Sequence, residues 1–204
     1  MKKIFIFTLL ISVAFCFAFQ VDTFGPTADD FSCANLDQVP ASFGIQIANQ
    51  KKLCLWENGV WNSYSYLGLT IKGTYMLNAD TMLVAMGDNS YSDGIYNFDI
   101  NTHNWQLNDW FILPNFVKYN PHNQLYYVGE RDGLFYSANG HNWTRITSLG
   151  SNKCNSIAWY DSNIITNNGQ MVYYSNDNGL NWQQSSISNL SSFRFDDNGI
   201  LYAI

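Results

Sequence analysis

From Ser42 onward, apolar and aromatic residues come in short runs separated by Asn, Asp, Gly and Ser. No stretch of a dozen residues carries a helical period, so the pattern predicts an all-β chain. The predicted strands fall into groups. Residues 44–48, 53–56 and 61–67 form an incomplete first group. Residues 75–77, 82–86, 94–98 and 105–107 make a group of four, as do 116–119, 125–128, 133–136 and 143–146, and again 157–160, 164–166, 171–174 and 182–184. The chain closes on a pair, 193–195 and 200–204. Ahead of all these, residues 19–41 read as irregular, broken by Gly25-Pro26, Asp29-Asp30 and Pro40.

The turns repeat with the strands. Tyr173 to Trp182 reads as a strand, a tight Asx/Gly turn and a second strand opening on tryptophan. Looser copies precede it at 135–143, 96–105 and 55–61, so Trp61, Trp105, Trp143 and Trp182 stand at steps of 44, 38 and 39 residues. Asn120 to Asn123, Asp161 to Asn163 and Asp196 to Gly199 fall at one equivalent place, between the first and second strands of a group. A period near forty with four strands per unit is the pattern of propeller blades. The expected domain therefore spans 42–204 as a small β-propeller of four or five four-stranded antiparallel blades. Aligning 53–56 with 134–137 makes 44–48 a second strand. The C-terminal pair would then supply the missing strands of that first blade and close the ring.

Ser175-x-Asp177-x-Gly179-x-x-Trp182 resembles the Asp-box (BNR) repeat, which in known families forms the turn between the third and fourth strands of a propeller blade. Phe193 to Ala203 and Phe116 to Val128 are also similar to tectonin/tachylectin repeats. The resemblance spans most of 43–204 and implies structural roles for Ser175, Asp177, Gly179 and Trp182, with Asp177 accepting from backbone and ring N–H groups. It further implies that such turns lie on a blade's outer rim. The other Asp-box family to weigh is the sialidases, glycoside hydrolases with an arginine cluster, a tyrosine nucleophile and a carboxylate pair.

Composition narrows the function. Of 204 residues, 17% are aromatic but only 13% are charged, so the polar surface falls to amides and hydroxyls. A net charge of −6 with no basic run speaks against nucleic acid. Residues 1–18 run from Lys2-Lys3 through an apolar stretch to Ala18, the pattern of a signal peptide, and no later segment reads as a membrane span. We therefore expect a secreted protein.

The three arginines, Arg131, Arg145 and Arg194, occupy three different repeat positions, and no catalytic motif is present. The histidines, His103, His122 and His141, sit on separate repeats, so no metal or cofactor is expected. The expectation is a non-catalytic protein that binds a glycan or an extracellular protein. The alternatives are a sialidase-like hydrolase and an adhesion or assembly module. Aromatics not needed by the repeat, Trp110, Tyr64 and Tyr66, are the ligand candidates. With Cys16 in the leader, Cys33 and Cys154 are expected to bridge and Cys54 to be buried. Asn142 and Asn189 fit the N-glycosylation pattern.

Overall fold

The computed structural model describes residues 31–32, 45–48, 51–57 and 60–203. The expected leader, Cys33 and most of the segment expected to be irregular lie outside them. The described chain is all-β, in two compact units divided between Tyr64 and Ser65.

The first unit is one antiparallel sheet in chain order: β1 (Phe31–Ser32), β2 (Ile45–Ala48), β3 (Lys52–Glu57) and β4 (Val60–Tyr64). The sequence-based scheme has the C-terminal pair supply a first and a second strand beside 53–67. In this sheet Phe31–Ser32 and Ile45–Ala48 hold those places, with Phe31 paired to Ala48 and Ser32 to Ile47. Two residues are too few to show an alternation, which is why the pattern is silent there. Leu53, Cys54 and Leu55 are fully buried, and Trp61 lies on β4 opposite Trp56.

The second unit repeats one motif. Strands β5 (Ile71–Met76), β6 (Thr81–Met86), β7 (Gly94–Asp99) and β8 (Trp105–Trp110) form a meander. The next is β9 (Phe116–Asn120), β10 (Leu125–Glu130), β11 (Gly133–Ser137) and β12 (Thr144–Arg145), followed by a 3-10 turn at Thr147–Leu149. The third is β13 (Ile157–Tyr160), β14 (Asn163–Asn168), β15 (Met171–Ser175) and β16 (Gln183–Ser188). A last hairpin, β17 (Phe193–Phe195) and β18 (Leu201–Ala203), is a sheet of two strands. These are the blades of a β-propeller.

Successive blades are held face to face by apolar layers. Leu83, Ala85 and Ile95 of the β5–β8 sheet pack on Phe111, Val117 and Val128. On the other side of the β9–β12 sheet, Phe116, Tyr127 and Leu134 meet Cys154, Ile157 and Ile164. Ala158, Ile165 and Val172 then cover Phe193. Each fully buried Leu or Ile contributes about 1.5–3 kcal/mol. β5 and β9 approach closely: a Cβ on Gly73 would stand 3.2 Å from the Val117 nitrogen, so a larger residue there would push the two strands a few tenths of an ångström apart.

Much of the polar contact between successive sheets of the second unit is carried by neutral amides. Asn108 on β8 donates through Nδ2 to Asn97 Oδ1 and to the Gly140 carbonyl, both at 2.9 Å, and accepts the Trp143 ring N–H at 3.1 Å. Asn123 donates to the Asn178 carbonyl, Asn115 to that of Cys154 and Asn167 to that of Leu190. One such link is made by a long cation. Lys118 on β9 reaches the Ile157 carbonyl on β13 at 3.1 Å, and burial lowers its pKa.

Candidate functional site

Antiparallel meanders put alternate turns at opposite ends of the sheets. The turns between first and second strands, and between third and fourth, share one end. The turns between second and third strands, and the connectors from one sheet to the next, share the other.

At the first end lie the tryptophan turns. Ser175 Oγ accepts the Gly179 N–H at 2.8 Å and donates to Asp177 Oδ1 at 2.7 Å. Asp177 takes the Asn181 backbone N–H on Oδ1 at 2.9 Å and the Asn181 amide on Oδ2 at 2.7 Å. These bonds, from the Asn181 backbone first, then the Asn181 amide and the Ser175 hydroxyl, lower its pKa to about 2. Asn178 and Gly179 take left-handed φ values of 60° and 88°, as the tight turn requires. One expectation fails here. The Trp182 ring nitrogen is buried without an acceptor, so Asp177 holds its turn through Ser175 and Asn181 and receives nothing from the ring.

The other copies vary the same device. In the second, Asn139 replaces the aspartate and accepts the N–H groups of His141 and Asn142, both at 3.0 Å. Trp143 is half-buried and meets Phe111 edge-on, with ring centroids 5.7 Å apart. In the first, Trp105 packs on Phe98 at 4.6 Å.

Leu180 is exposed at that first end, and the second end carries a group of three exposed apolar side chains. Residues 87–93 curl around the buried carboxylate of Asp93. Its Oδ1 accepts the N–H groups of Asp88 and Ser90 and the Ser90 hydroxyl, and its Oδ2 accepts the N–H groups of Asn89 and Leu113, all between 3.0 and 3.2 Å. Burial alone would raise this pKa, but the donors outweigh it and hold it below the ordinary value. Glu130, at the end of β10, accepts the Ile112 N–H at 2.5 Å. Here burial wins over that hydrogen bond, and the carboxyl is pushed up. Two carboxylates from neighbouring sheets thus grip consecutive amides of the connector 111–115. The Asn115 N–H on the Gly129 carbonyl at 2.7 Å and the Arg131 N–H on that of Ile112 at 3.0 Å complete the clamp.

What the clamp presents is apolar. Tyr91, at the tip of 87–93, is fully exposed, Trp110 is 62% exposed and Ile112 is 41% exposed. The ladder pairs Trp110 with Gly94, one residue past Asp93, so the loop and the tryptophan share one sheet end.

The three ligand candidates differ in setting. Trp110 is the exposed one. Tyr66 is half-buried, stacked on Trp105 at 5.8 Å and tilted against Tyr96 at 5.1 Å, so it packs the β5–β8 sheet. Tyr64 belongs to the first unit. Its hydroxyl donates to Glu57 at 2.8 Å, and burial, that bond and the Glu57 charge push its pKa up to about 12. Tyr91 and Ile112 carry no signal in the sequence, because nothing local distinguishes an exposed loop tyrosine from a core one.

The remaining residues are quickly placed. Arg131 is in the β10–β11 turn beside Asp132, Arg145 on β12 donates to the Gly150 carbonyl, and Arg194 is exposed on β17. His103 stacks on Phe98 at 6.2 Å, His141 Nδ1 lies 2.9 Å from Asn108 Nδ2, and His122 is exposed. Among the described residues no three His, Cys, Asp or Glu side chains converge, and no helix is long and apolar enough to cross a membrane. Asn142 and Asn189 are both exposed.

Cys33, the expected partner of Cys154 in a bridge, lies outside the described residues. Cys154 is a free, buried thiol, its Sγ 3.1 Å from the Thr166 hydroxyl, and burial raises its pKa to about 11. Its segment looks like loop in the sequence but packs under the β9–β12 sheet. Cys54 is buried, as expected.

No family model and no curated protein matches the chain. Solved structures do. YCF48 bound to D1 peptide shares 12% identity at a TM-score of 0.56, over 86% of this chain and 59% of that one. The BT3049 extracellular domain from B. thetaiotaomicron shares 10% at 0.64, over 85% of this chain and 25% of that one. A nidogen/laminin complex shares 11% at 0.55, over 79% and 66%. The chain thus spans little more than half the length of the first and a quarter of the second. Identities this low establish the fold, a β-propeller, and nothing finer.

Proposed function

We propose that this chain is a secreted, non-catalytic binding propeller that takes an extracellular polypeptide at the sheet end carrying Tyr91, Trp110 and Ile112. The observation behind this reading is the clamp. Three large apolar side chains stand in solvent on backbone held by two buried carboxylates, so little order has to be lost on binding. Aromatic anchors on a preset surface are the usual hot spots of recognition. Ile112 favours a polypeptide over a sugar, since an aliphatic side chain offers no stacking plane. YCF48 with its D1 peptide and nidogen with laminin are protein-binding examples of the fold. A glycan is the second reading, favoured by the open Trp110 ring.

Asp93 supports a binding role rather than a catalytic one, because five protein donors already occupy its oxygens. We read the 137–143 and 175–182 turns as diverged and intact Asp-boxes, serving the fold. We read residues 1–18 as a leader cleaved after Ala18. The test is binding of the secreted protein to peptide and glycan arrays, with hydrolysis of fluorogenic glycosides measured in parallel. We expect a peptide ligand whose affinity falls at least about tenfold in Trp110→Ala, the effect of losing some 1.4 kcal/mol. Glycan-only binding would select the second reading. Binding indifferent to both Trp110→Ala and Tyr91→Ala, or glycoside turnover, would defeat the proposal.

A further inference from the structure

The turn before Trp143 holds asparagine where the turn before Trp182 holds aspartate, and that asparagine is followed by glycine. Asn139 is exposed, and its Nδ2 makes no bond among the described residues. Its Oδ1 is surrounded by donors: the His141 and Asn142 N–H groups and the Ser137 hydroxyl, each at 3.0 Å. The same Ser137 Oγ accepts the Gly140 N–H at 2.9 Å. One hydroxyl thus bridges the side-chain carbonyl of Asn139 and the backbone nitrogen that follows it.

Among the described residues asparagine precedes glycine at three other places, and none is built this way. Asn168 and Asn178 each have a buried Oδ1 that receives no donor. Asn198 is exposed, and its bond to Asp196 is made by its backbone N–H. Donors aimed at a carbonyl oxygen favour attack on its carbon, because those bonds strengthen as negative charge develops on the oxygen. A hydroxyl that takes a proton on one side and gives one on the other spares the attacking nitrogen a free ion. Gly140 carries no Cβ to shield the approach, and one placed there would stand 2.7 Å from Leu77 Cδ1.

We propose that this turn removes its own amide. Asn139 is the residue modified, the Gly140 nitrogen the nucleophile and Ser137 the proton carrier, while the His141 and Asn142 N–H groups stabilise charge on Oδ1. The Gly140 nitrogen bonds to Asn139 Cγ as its proton passes to Ser137 Oγ and the hydroxyl proton passes to Oδ1. That proton then moves to Nδ2, the Cγ–Nδ2 bond breaks, and ammonia leaves behind a succinimide ring. Water opens the ring, so the sum is amide plus water giving carboxylate plus ammonium, with nothing oxidised or reduced. Opening at Cγ leaves aspartate at 139; opening at the backbone carbonyl leaves isoaspartate. Aspartate there meets the same kinds of donor that hold Asp177, a serine hydroxyl at 2.7 Å and a backbone N–H at 2.9 Å. Isoaspartate lengthens the backbone beside Gly140, whose carbonyl takes the Asn108 amide at 2.9 Å, and so loosens the joint between the two sheets.

Peptide mass spectrometry tests this on protein held for weeks in neutral buffer, reading the exchange of an amino for a hydroxyl group at each asparagine. We expect Asn139 to change at least about tenfold faster in the folded protein than in the same chain kept in urea. The other three Asn-Gly pairs, which lack the donors, should gain nothing from folding. Ser137→Ala keeps the Asn139-Gly140 pair and should slow its change at least about tenfold, with circular dichroism unaltered. A folded-state rate at Asn139 no higher than the rate in urea overturns the proposal. So does an equal gain at the other three pairs, or an unchanged rate in Ser137→Ala. If Ser137→Ala unfolds, the folded and urea rates of the wild type decide alone.

Discussion

Asn108 offers the sharpest test of how one blade is fastened to the next. Its side chain serves Asn97 on its own sheet, and the Gly140 carbonyl, the His141 ring and the Trp143 ring N–H on the following one. Asn108→Ala leaves these without a mate. A net hydrogen bond is worth about 1 kcal/mol, and an orphaned buried group costs about 1–3 kcal/mol. Asn108 and Trp143 are only half-buried, so water recovers part of the loss, and we expect a total near 2 kcal/mol. With a urea slope of about 2 kcal/mol/M for a small protein, the midpoint should fall by roughly 1 M. Tryptophan fluorescence in urea reads this directly. Trp143→Phe supplies the second edge of a double-mutant cycle, because it removes the ring donor while keeping an aromatic against Phe111. The pair should show a coupling of about 0.5–1.5 kcal/mol. A midpoint within experimental error of wild type, or strict additivity of the two substitutions, would refute the view that this amide joins the blades.

Two further outcomes follow from the turns and the thiols. Asp177 is more acidic folded, at about 2, than its ordinary value of 3.8. Its contribution should therefore be complete above pH 4 and fade as the pH falls from about 4 to 2; carboxyl NMR titration would show this, and a folded-state midpoint near 4 would contradict it. Asp177→Ala should lower the melting temperature and leave ligand affinity unaltered. Cys154, buried with its pKa raised to about 11, should resist maleimide in the native protein and react on denaturation, and non-reducing peptide maps should lack a Cys33–Cys154 species.

The strand order was legible because each blade is built locally: alternation, an Asx/Gly turn and a tryptophan fall within about forty residues. Some strands ran longer than their apolar runs. β5 begins at Ile71, through Lys72-Gly73-Thr74, because there the pairing with β6 and the close approach to β9 matter more than hydrophobicity. The clamp was harder to read. Asp93 and Glu130 are 37 residues apart in the sequence and look like ordinary loop carboxylates, yet both bind the same connector. Its one local sign is the run Gly87 to Gly94, in which Asp93 lies within reach of three preceding N–H groups. The packing of Tyr66 was hidden for the opposite reason: its polar neighbours suggest exposure, and its partners Trp105 and Tyr96 lie 39 and 30 positions away.

Cohesion by amides sets how the protein responds to its surroundings. Asn108, Asn115, Asn123 and Asn167 carry no charge and exchange no protons over the accessible pH range, and the ion pair of Arg131 with Asp132 is exposed. Counter-ions have little to screen in these amide contacts, and mild acid has nothing to neutralise in them; the acid-sensitive groups lie apart, in the Asp93 and Glu130 clamp. Amide contacts of this kind should hold their packing in brine and in dilute buffer alike.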